Sequence, residues 1–305
     1  MRQRIEHIGA AFTEGYHQAL HLERLDHLPE HLNRVELELR GFAYEGAAMG
    51  LALLDHLTFW QPSRITQFLQ GAGKDHAYMV HVGVGWVWAR LPFFLPRREE
   101  SLDPLLRWLA FDGWGFHEGF FHWPDYVAAQ DWPRKIRTIR PTTGPRDHGT
   151  TKDPIGYERR AFDQGLGRSF WFVNGGNVAW ISRTIAAFPE TRQKDLWSGI
   201  GLATVYAGGV PESVLDDLRA AAGKSGAGLA QGAAFAAKAR ERAGNLTDYT
   251  ETATRVLTGL SALEAARLTD STLENLPARG PGPPYEVWRR RIQQRFEKVG
   301  VLANG

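Results

Sequence analysis

The chain has 305 residues, 43% hydrophobic and 23% charged, with a net charge of +2; this is ordinary globular composition with no strong pull toward nucleic acid or acidic membranes. It contains no cysteine, which excludes disulfides, iron–sulfur clusters, zinc fingers and thiol nucleophiles. Eleven tryptophans and 33 glycines stand out. Gly inside a helix costs roughly 1 kcal/mol relative to Ala, so glycines within apolar helical patterns point to close backbone packing, and the tryptophans point to large flat surfaces in a core or along a cavity.

The opening stretch MRQRIEHIGAAFTEGYHQAL lacks the continuous apolar run of a signal peptide, and a cytoplasmic protein is expected. In 17-HQALHLERLDHLPEHL-32, His17 with His21 and His27 with His31 have i, i+4 spacing, and Glu23 and Glu30 are near. The stretch is polar and interrupted by Pro29, so it reads as an exposed helix and turn rather than a metal site. Residues 34–57 place Leu37, Gly41, Tyr44, Ala48, Leu51 and Leu54 on helical spacing. The most apolar window, 78–95, carries His81, Arg90 and Pro92, which argue against a membrane span. Within it, 80-VHVGVGWVW-88 is the best strand candidate by its alternating valines, although its likeness to 199–205 argues for helix. Helical spacing recurs over 102–122, 190–208, 211–222 and 226–243, with prolines between the segments. The basic run 288-WRRRIQQRF-296 reads as a solvated tail helix. The expected fold class is therefore all-α, with Gly-rich helix contacts.

Three matches in one order suggest a pseudo-twofold duplicated helical bundle. The segment 42-FAYEG-46 corresponds to 162-FDQG-165, 83-GVGWVWA-89 to 199-GIGLATV-205, and 113-GWGFHEGFF-121 to 226-GAGLAQGAAF-235. The expected organisation is a first helical half over 1–140, a linker over 141–156, a second half over 157–276, and a linker with a C-terminal helix over 277–305, all in one compact unit.

An aromatic or Leu followed closely by Glu or Gln and then Gly recurs at Glu14, Glu45, Glu118, Gln164 and Gln231. Gly admits a neighbouring helix, and the polar group then reaches across the contact, so these positions read as inter-helix clasps. Glu118 differs by its company in 112-DGWGFHEGFFHW-123. His117 and His122 flank it among Trp114, Phe116, Phe120, Phe121 and Trp123. Desolvation raises a carboxyl pKa and lowers an imidazole pKa, which suits proton exchange near neutral pH. The functional reading is a general acid/base pair, or part of a metal site; the plain one is a satisfied polar cluster. All 11 histidines lie at or before position 148, so chemistry is expected in the first half.

Glu118 and His117 are the candidate catalytic pair. His81, Trp86, Trp114, Phe116, His122, Arg168 and Trp171 are the candidate substrate-binding residues, with Arg168 a counter-ion to Glu45 or Glu118. No zinc signature is present, and the ExxxH spacing of Glu118 and His122 arises easily by chance, so no metal and no cofactor is assigned. In 167-GRSFWFVNGGN-177, Ser169 lacks a nucleophile-elbow pattern and a downstream His, and the Gly175-Gly176 pair lacks the lysine of a phosphate loop.

At 40-RGFAYEGAAMGLALLD-55, 79-MVHVGVGWVWARL-91, 112-DGWGFHEGFFHW-123 and 161-AFDQGLGRSFWFVNG-175 the sequence resembles the UnbL-type soluble proteins of enediyne polyketide warhead cassettes, a family of unknown function. The likeness spans roughly residues 5–240 and is most specific around Gly165-Leu-Gly-Arg-Ser169. It implies an accessory role in converting a linear conjugated polyene into an enediyne core, beside other cassette proteins that include a membrane protein. It supplies no catalytic residue. A long flat polyene suits a slot lined by Trp and Phe. The alternative from the same resemblance is a non-catalytic carrier or assembly partner.

Overall fold

The computed structural model describes residues 1–21, 25–91, 102–133, 156–277 and 282–298. Within them the chain forms fourteen α-helices and no strand. They are α1 (Arg2–His21), α2 (Leu28–Leu32), α3 (Arg40–Leu57), α4 (Arg64–Gln70), α5 (Ala77–Arg90), α6 (Trp108–Phe121), α7 (Glu158–Val173), α8 (Val178–Ala186), α9 (Glu190–Ala207), α10 (Glu212–Ala222), α11 (Gly226–Arg242), α12 (Asp248–Thr258), α13 (Ala262–Ser271) and α14 (Pro284–Lys298). No described helix is long and apolar enough to cross a membrane.

Seven of these helices stand side by side in the order α1, α3, α5, α6, α7, α9, α11. The Gly-x-Gly pairs explain the row. Residues two apart on a helix point about 200° from each other, so each pair opens both flanks of its helix. A Cβ on Gly83 would meet the Glu45 carbonyl of α3 at 2.2 Å, and one on Gly85 the Ala110 carbonyl of α6 at 2.0 Å. Gly113 and Gly115 do the same toward Val82 of α5 and Phe162 of α7, and Gly165 and Gly167 toward Asp112 of α6 and Leu196 of α9. Gly199 and Gly201 repeat the arrangement toward Gln164 of α7 and Leu229 of α11. Gly83 and Gly199, matched in sequence, thus fill the same packing role. The contact of α6 with α7 is built like the others, so the row continues across the expected joint.

The remaining helices cover this row: α2 and α4 lie against α3, α12, α13 and α14 lie against α11, and α8 and α10 lie near α9 and α12. Their starts follow local capping chemistry. Asn177 and Thr247 accept from the backbone N–H three residues on, and Ser261 with Glu264 forms a capping box.

The strand candidate at 80–88 is helix, as the likeness to 199–205 argued. The helix expected from residue 34 begins at Arg40, because the carbonyls of Leu37 and Glu38 accept from Asn245 at 3.2 Å and Arg240 at 3.0 Å instead of continuing a helix. The one expected from 102 begins at Trp108, after a turn in which Asp103 accepts from the Leu105 and Leu106 N–H groups. The basic run at 288–296 is no solvated tail: Trp288, Arg289, Ile292 and Phe296 of α14 are buried. Residues 141–155, including His148, and residues 278–281 of the second expected break lie outside the described residues.

Candidate functional site

The C-terminal end of α6 brings three polar side chains of one stripe together, because Trp114, Glu118 and His122 are spaced four apart. Glu118 is buried. Its Oε1 accepts from Trp114 Nε1 at 2.9 Å, and its Oε2 lies 2.5 Å from His122 Nδ1. Burial pushes this carboxyl up, but the facing His117 imidazole, the Trp114 indole N–H and His122 outweigh it and hold it below its ordinary range. That corrects the expected raised value: the carboxylate is ionised. An ionised carboxylate only accepts, so His122 Nδ1 donates to it and a neutral His122 keeps its lone pair on Nε2. The His122 side chain is 48% exposed.

His117 is fixed from its other side. Arg90, at the end of α5, donates from Nε to His117 Nε2 at 2.8 Å. The neutral ring therefore carries its proton on Nδ1, which faces Glu118 Oε2 from 3.8 Å, an electrostatic contact rather than a hydrogen bond. His117 is 1% exposed, so it backs the cluster while His122 faces outward. His117, Glu118 and His122 offer ligand atoms within 4.8 Å of one another, the donor set of a two-His-one-carboxylate centre. A ligating imidazole needs its lone pair on the metal side and its N–H given to an acceptor behind. Arg90 presents a donor where that acceptor would stand. The cluster fits proton handling and does not fit a metal.

Rings surround this end of α6. Phe116 stacks on Phe120 with centroids 5.8 Å apart and meets Phe172 of α7 edge-on at 5.2 Å. Trp86 of α5 lies 5.4 Å from Phe116 and 6.0 Å from Phe121, and Phe12 of α1 lies 4.6 Å from Trp86. Phe120 and Phe121 are 38% and 50% exposed. These rings form an aromatic wall at one end of α6. A cavity of about 290 Å³ opens elsewhere, among Arg160, Lys194, Glu286 and Arg290; there the charges already pair with one another or with Asp195 and Glu297.

Behind the wall lies a buried polar seam. Trp86 Nε1 donates to Glu45 Oε1 at 3.0 Å across α3 and α5. Burial pushes the Glu45 carboxyl up to about 7, against the nearby Arg168 charge and the Trp86 bond. Arg168 is buried; its Nη2 lies 2.9 Å from Asp112 Oδ1 and its Cζ 4.7 Å from the Phe116 centroid. Its direct partner is thus Asp112, with Glu45 farther off and Glu118 not among its contacts. Gln164 donates to Asp112 at 2.9 Å, and Ser198 Oγ lies 3.3 Å and 3.0 Å from the side-chain oxygens of Gln164 and Gln231. Glu45, Gln164 and Gln231 are clasps between helices. Glu14 is not: it is exposed and accepts from Gln18 of its own helix.

Among the other expected site residues, Trp86 and Phe116 stand in the wall and Trp114 supplies the indole N–H to Glu118. His81 does not join them. It sits five residues, about 140°, around α5 from Trp86. Its Nδ1 lies 2.6 Å from the Ala77 carbonyl and its Nε2 accepts from the Asp103 N–H at 3.1 Å. Burial holds it down to about 4, so it is a neutral buried ring. Trp171 is fully buried, and its ring lies beneath Gly176. Its neighbour Phe172, one residue and about 100° away, is the one that reaches the wall. Arg90 and Asp112 were not singled out in sequence. For Arg90 a signal existed, since it follows Trp86 by four residues on the same face of α5.

Residues 1–296 match the family model described as protein of unknown function, DUF1702. No curated protein and no solved structure matches the chain.

Proposed function

We propose, for a chain that belongs to the DUF1702 family, that it is an accessory protein of enediyne-type polyketide biosynthesis, acting by acid/base chemistry on a linear conjugated polyene. The wall of Trp86, Phe116, Phe120 and Phe121 receives the polyene, and His122, oriented by Glu118, is the base. The resemblance to the enediyne cassette proteins supplies the substrate class. The observation that carries the chemistry is the ionised, buried Glu118 with its Oε2 2.5 Å from Nδ1 of a half-exposed histidine. A carboxylate on Nδ1 fixes the imidazole tautomer and stabilises the imidazolium that forms when Nε2 takes a proton.

The test is complementation of a strain lacking this gene alone. Glu118→Gln and His122→Gln, checked for folding, are expected to leave the upstream intermediate in place. Product formed at the wild-type level by both variants ends the acid/base reading. A second reading, a carrier or assembly partner of other cassette proteins including a membrane protein, is favoured by the outward exposure of Phe120 and Phe121 and of Leu57, Phe59 and Trp60. Co-purification of the cassette proteins with the wild-type chain, lost on Phe121→Ser and insensitive to Glu118→Gln, supports it instead.

A further inference from the structure

Arg90 reaches the His122 face from the neighbouring helix. It is exposed, its Nε is engaged by His117 at 2.8 Å, and its Cζ lies 5.8 Å from the Phe121 centroid. A guanidinium is planar, always charged and has donors beyond Nε. The His117 and His122 rings are 5.5 Å apart. The aromatic wall thus has a fixed cationic donor at one point and an oriented imidazole acceptor a short distance away, joined through His117 and Glu118. Such a spacing of donor and base matches a substrate whose acidic C–H bond is conjugated with an oxygen that takes up the charge.

We infer that this face binds a flat conjugated carbonyl compound, with the carbonyl oxygen on the terminal N–H groups of Arg90 and the conjugated chain along Phe116, Phe120 and Phe121. His122 Nε2 then removes a proton from a carbon conjugated with that carbonyl. The inference rests on the reading of His122 as a base and names the ligand it serves. One C–H bond breaks and the proton passes to Nε2. The electron pair enters the conjugated system, and the charge gathers on the oxygen beside Arg90. Return of the proton at another carbon restores neutral imidazole and leaves a double bond moved. Nothing is oxidised or reduced, and no co-reactant is needed.

The probe is 6-methyl-3,5-heptadien-2-one in D2O, with NMR reading deuterium uptake at its conjugated methyl groups and saturation transfer reading binding. The wild-type chain is expected to bind it and speed exchange above the buffer rate. His122→Gln lowers the catalysed rate about a hundredfold with binding retained. Arg90→Ala loses most of the rate and Arg90→Lys recovers part of it, with the unfolding midpoint of each variant measured alongside. Diphenylhexatriene, a hydrocarbon polyene read by its fluorescence, reports the wall alone. If it binds while the dienone is absent from the wall or exchanges no faster than in buffer, or if His122→Gln exchanges as fast as wild type, the carbonyl inference is overturned and the wall stands. If neither probe binds, the inference falls together with the apolar substrate of the proposed function.

Discussion

Glu118 Oε2 and His122 Nδ1 stand 2.5 Å apart across one turn of α6, with the acid buried and the imidazole half in solvent. The folded carboxyl lies below its unfolded value of about 4.3, so folding favours its ionised form. Its contribution is full above that value and is lost as pH falls through the folded value. Glu118→Gln is expected to cost about 2 kcal/mol at pH 7. The difference from wild type shrinks toward zero below the ordinary carboxylate range. Urea unfolding from pH 3 to pH 7 measures it, and a difference independent of pH refutes the charge argument.

Glu45 behaves in the opposite sense. Its folded value, raised to about 7 by burial, lies above its unfolded one. The folded state therefore holds an extra proton between the two values. The associated stability is present below about 4.3 and is lost as pH rises through 7. The charged groups nearest it are Arg168, which lowers it, and Asp112, which raises it. Glu45→Gln keeps an oxygen for Trp86 Nε1 and removes the titration, as Gln164 and Gln231 already do at their helix contacts. Its melting temperature is expected to change less between pH 6 and pH 8.5 than that of wild type, by an amount equivalent to roughly 1.4 kcal/mol. Parallel curves for the two proteins refute this.

The all-α architecture was legible because the Gly-x-Gly pairs and the apolar spacing report the helix period directly. The clasps at Gln164 and Gln231 were legible for the same reason, since a polar residue beside a contact glycine has a neighbouring helix within reach. Three things were hidden. Helix starts at Arg40 and Trp108 depend on where Arg240, Asn245 and Asp103 donate or accept, and the first two lie some 200 residues away. The sign of the Glu118 shift depends on the balance of burial against three neighbours, and composition around it reports only the burial. The roles of His117 and His122 turn on Arg90, which belongs to another helix. Trp171 and Phe172 differ by one helical step, which decides core against wall and which sequence spacing alone left open.

The glycine row makes a paired prediction. A Cβ on Gly165 would stand 1.7 Å from the Asp112 carbonyl oxygen, a backbone atom held by α6. Gly165→Ala must push α6 and α7 apart and is expected to cost about 3 kcal/mol or more despite the better helix propensity of Ala. Gly9 of α1 is exposed, with nothing within 4 Å of its would-be Cβ. Gly9→Ala is expected to stabilise by about 0.5–1 kcal/mol. Thermal unfolding of both variants checks the pair, and a destabilised Gly9→Ala or a neutral Gly165→Ala contradicts the packing account.

Arg90 decides whether the cluster is a base or a metal centre. While its Nε donates to His117 Nε2, the His117 proton stays on Nδ1 and that nitrogen has no lone pair for an ion. Zinc at a hundred times its dissociation constant would raise stability by about 2.7 kcal/mol if it bound the folded state alone. The wild-type chain is expected to show no such rise at this cluster. In Arg90→Ala the His117 proton is free to move to Nε2, and zinc that displaces the proton of His122 Nδ1 then meets three ligand atoms, on His117, Glu118 and His122. A zinc-dependent rise in the melting temperature of Arg90→Ala, abolished by adding His117→Gln, is the expected result. The second substitution separates this cluster from the exposed pair His17 and His21 on α1. A zinc-dependent rise in the wild-type chain that His117→Gln removes would reverse the assignment and make the three residues ligands.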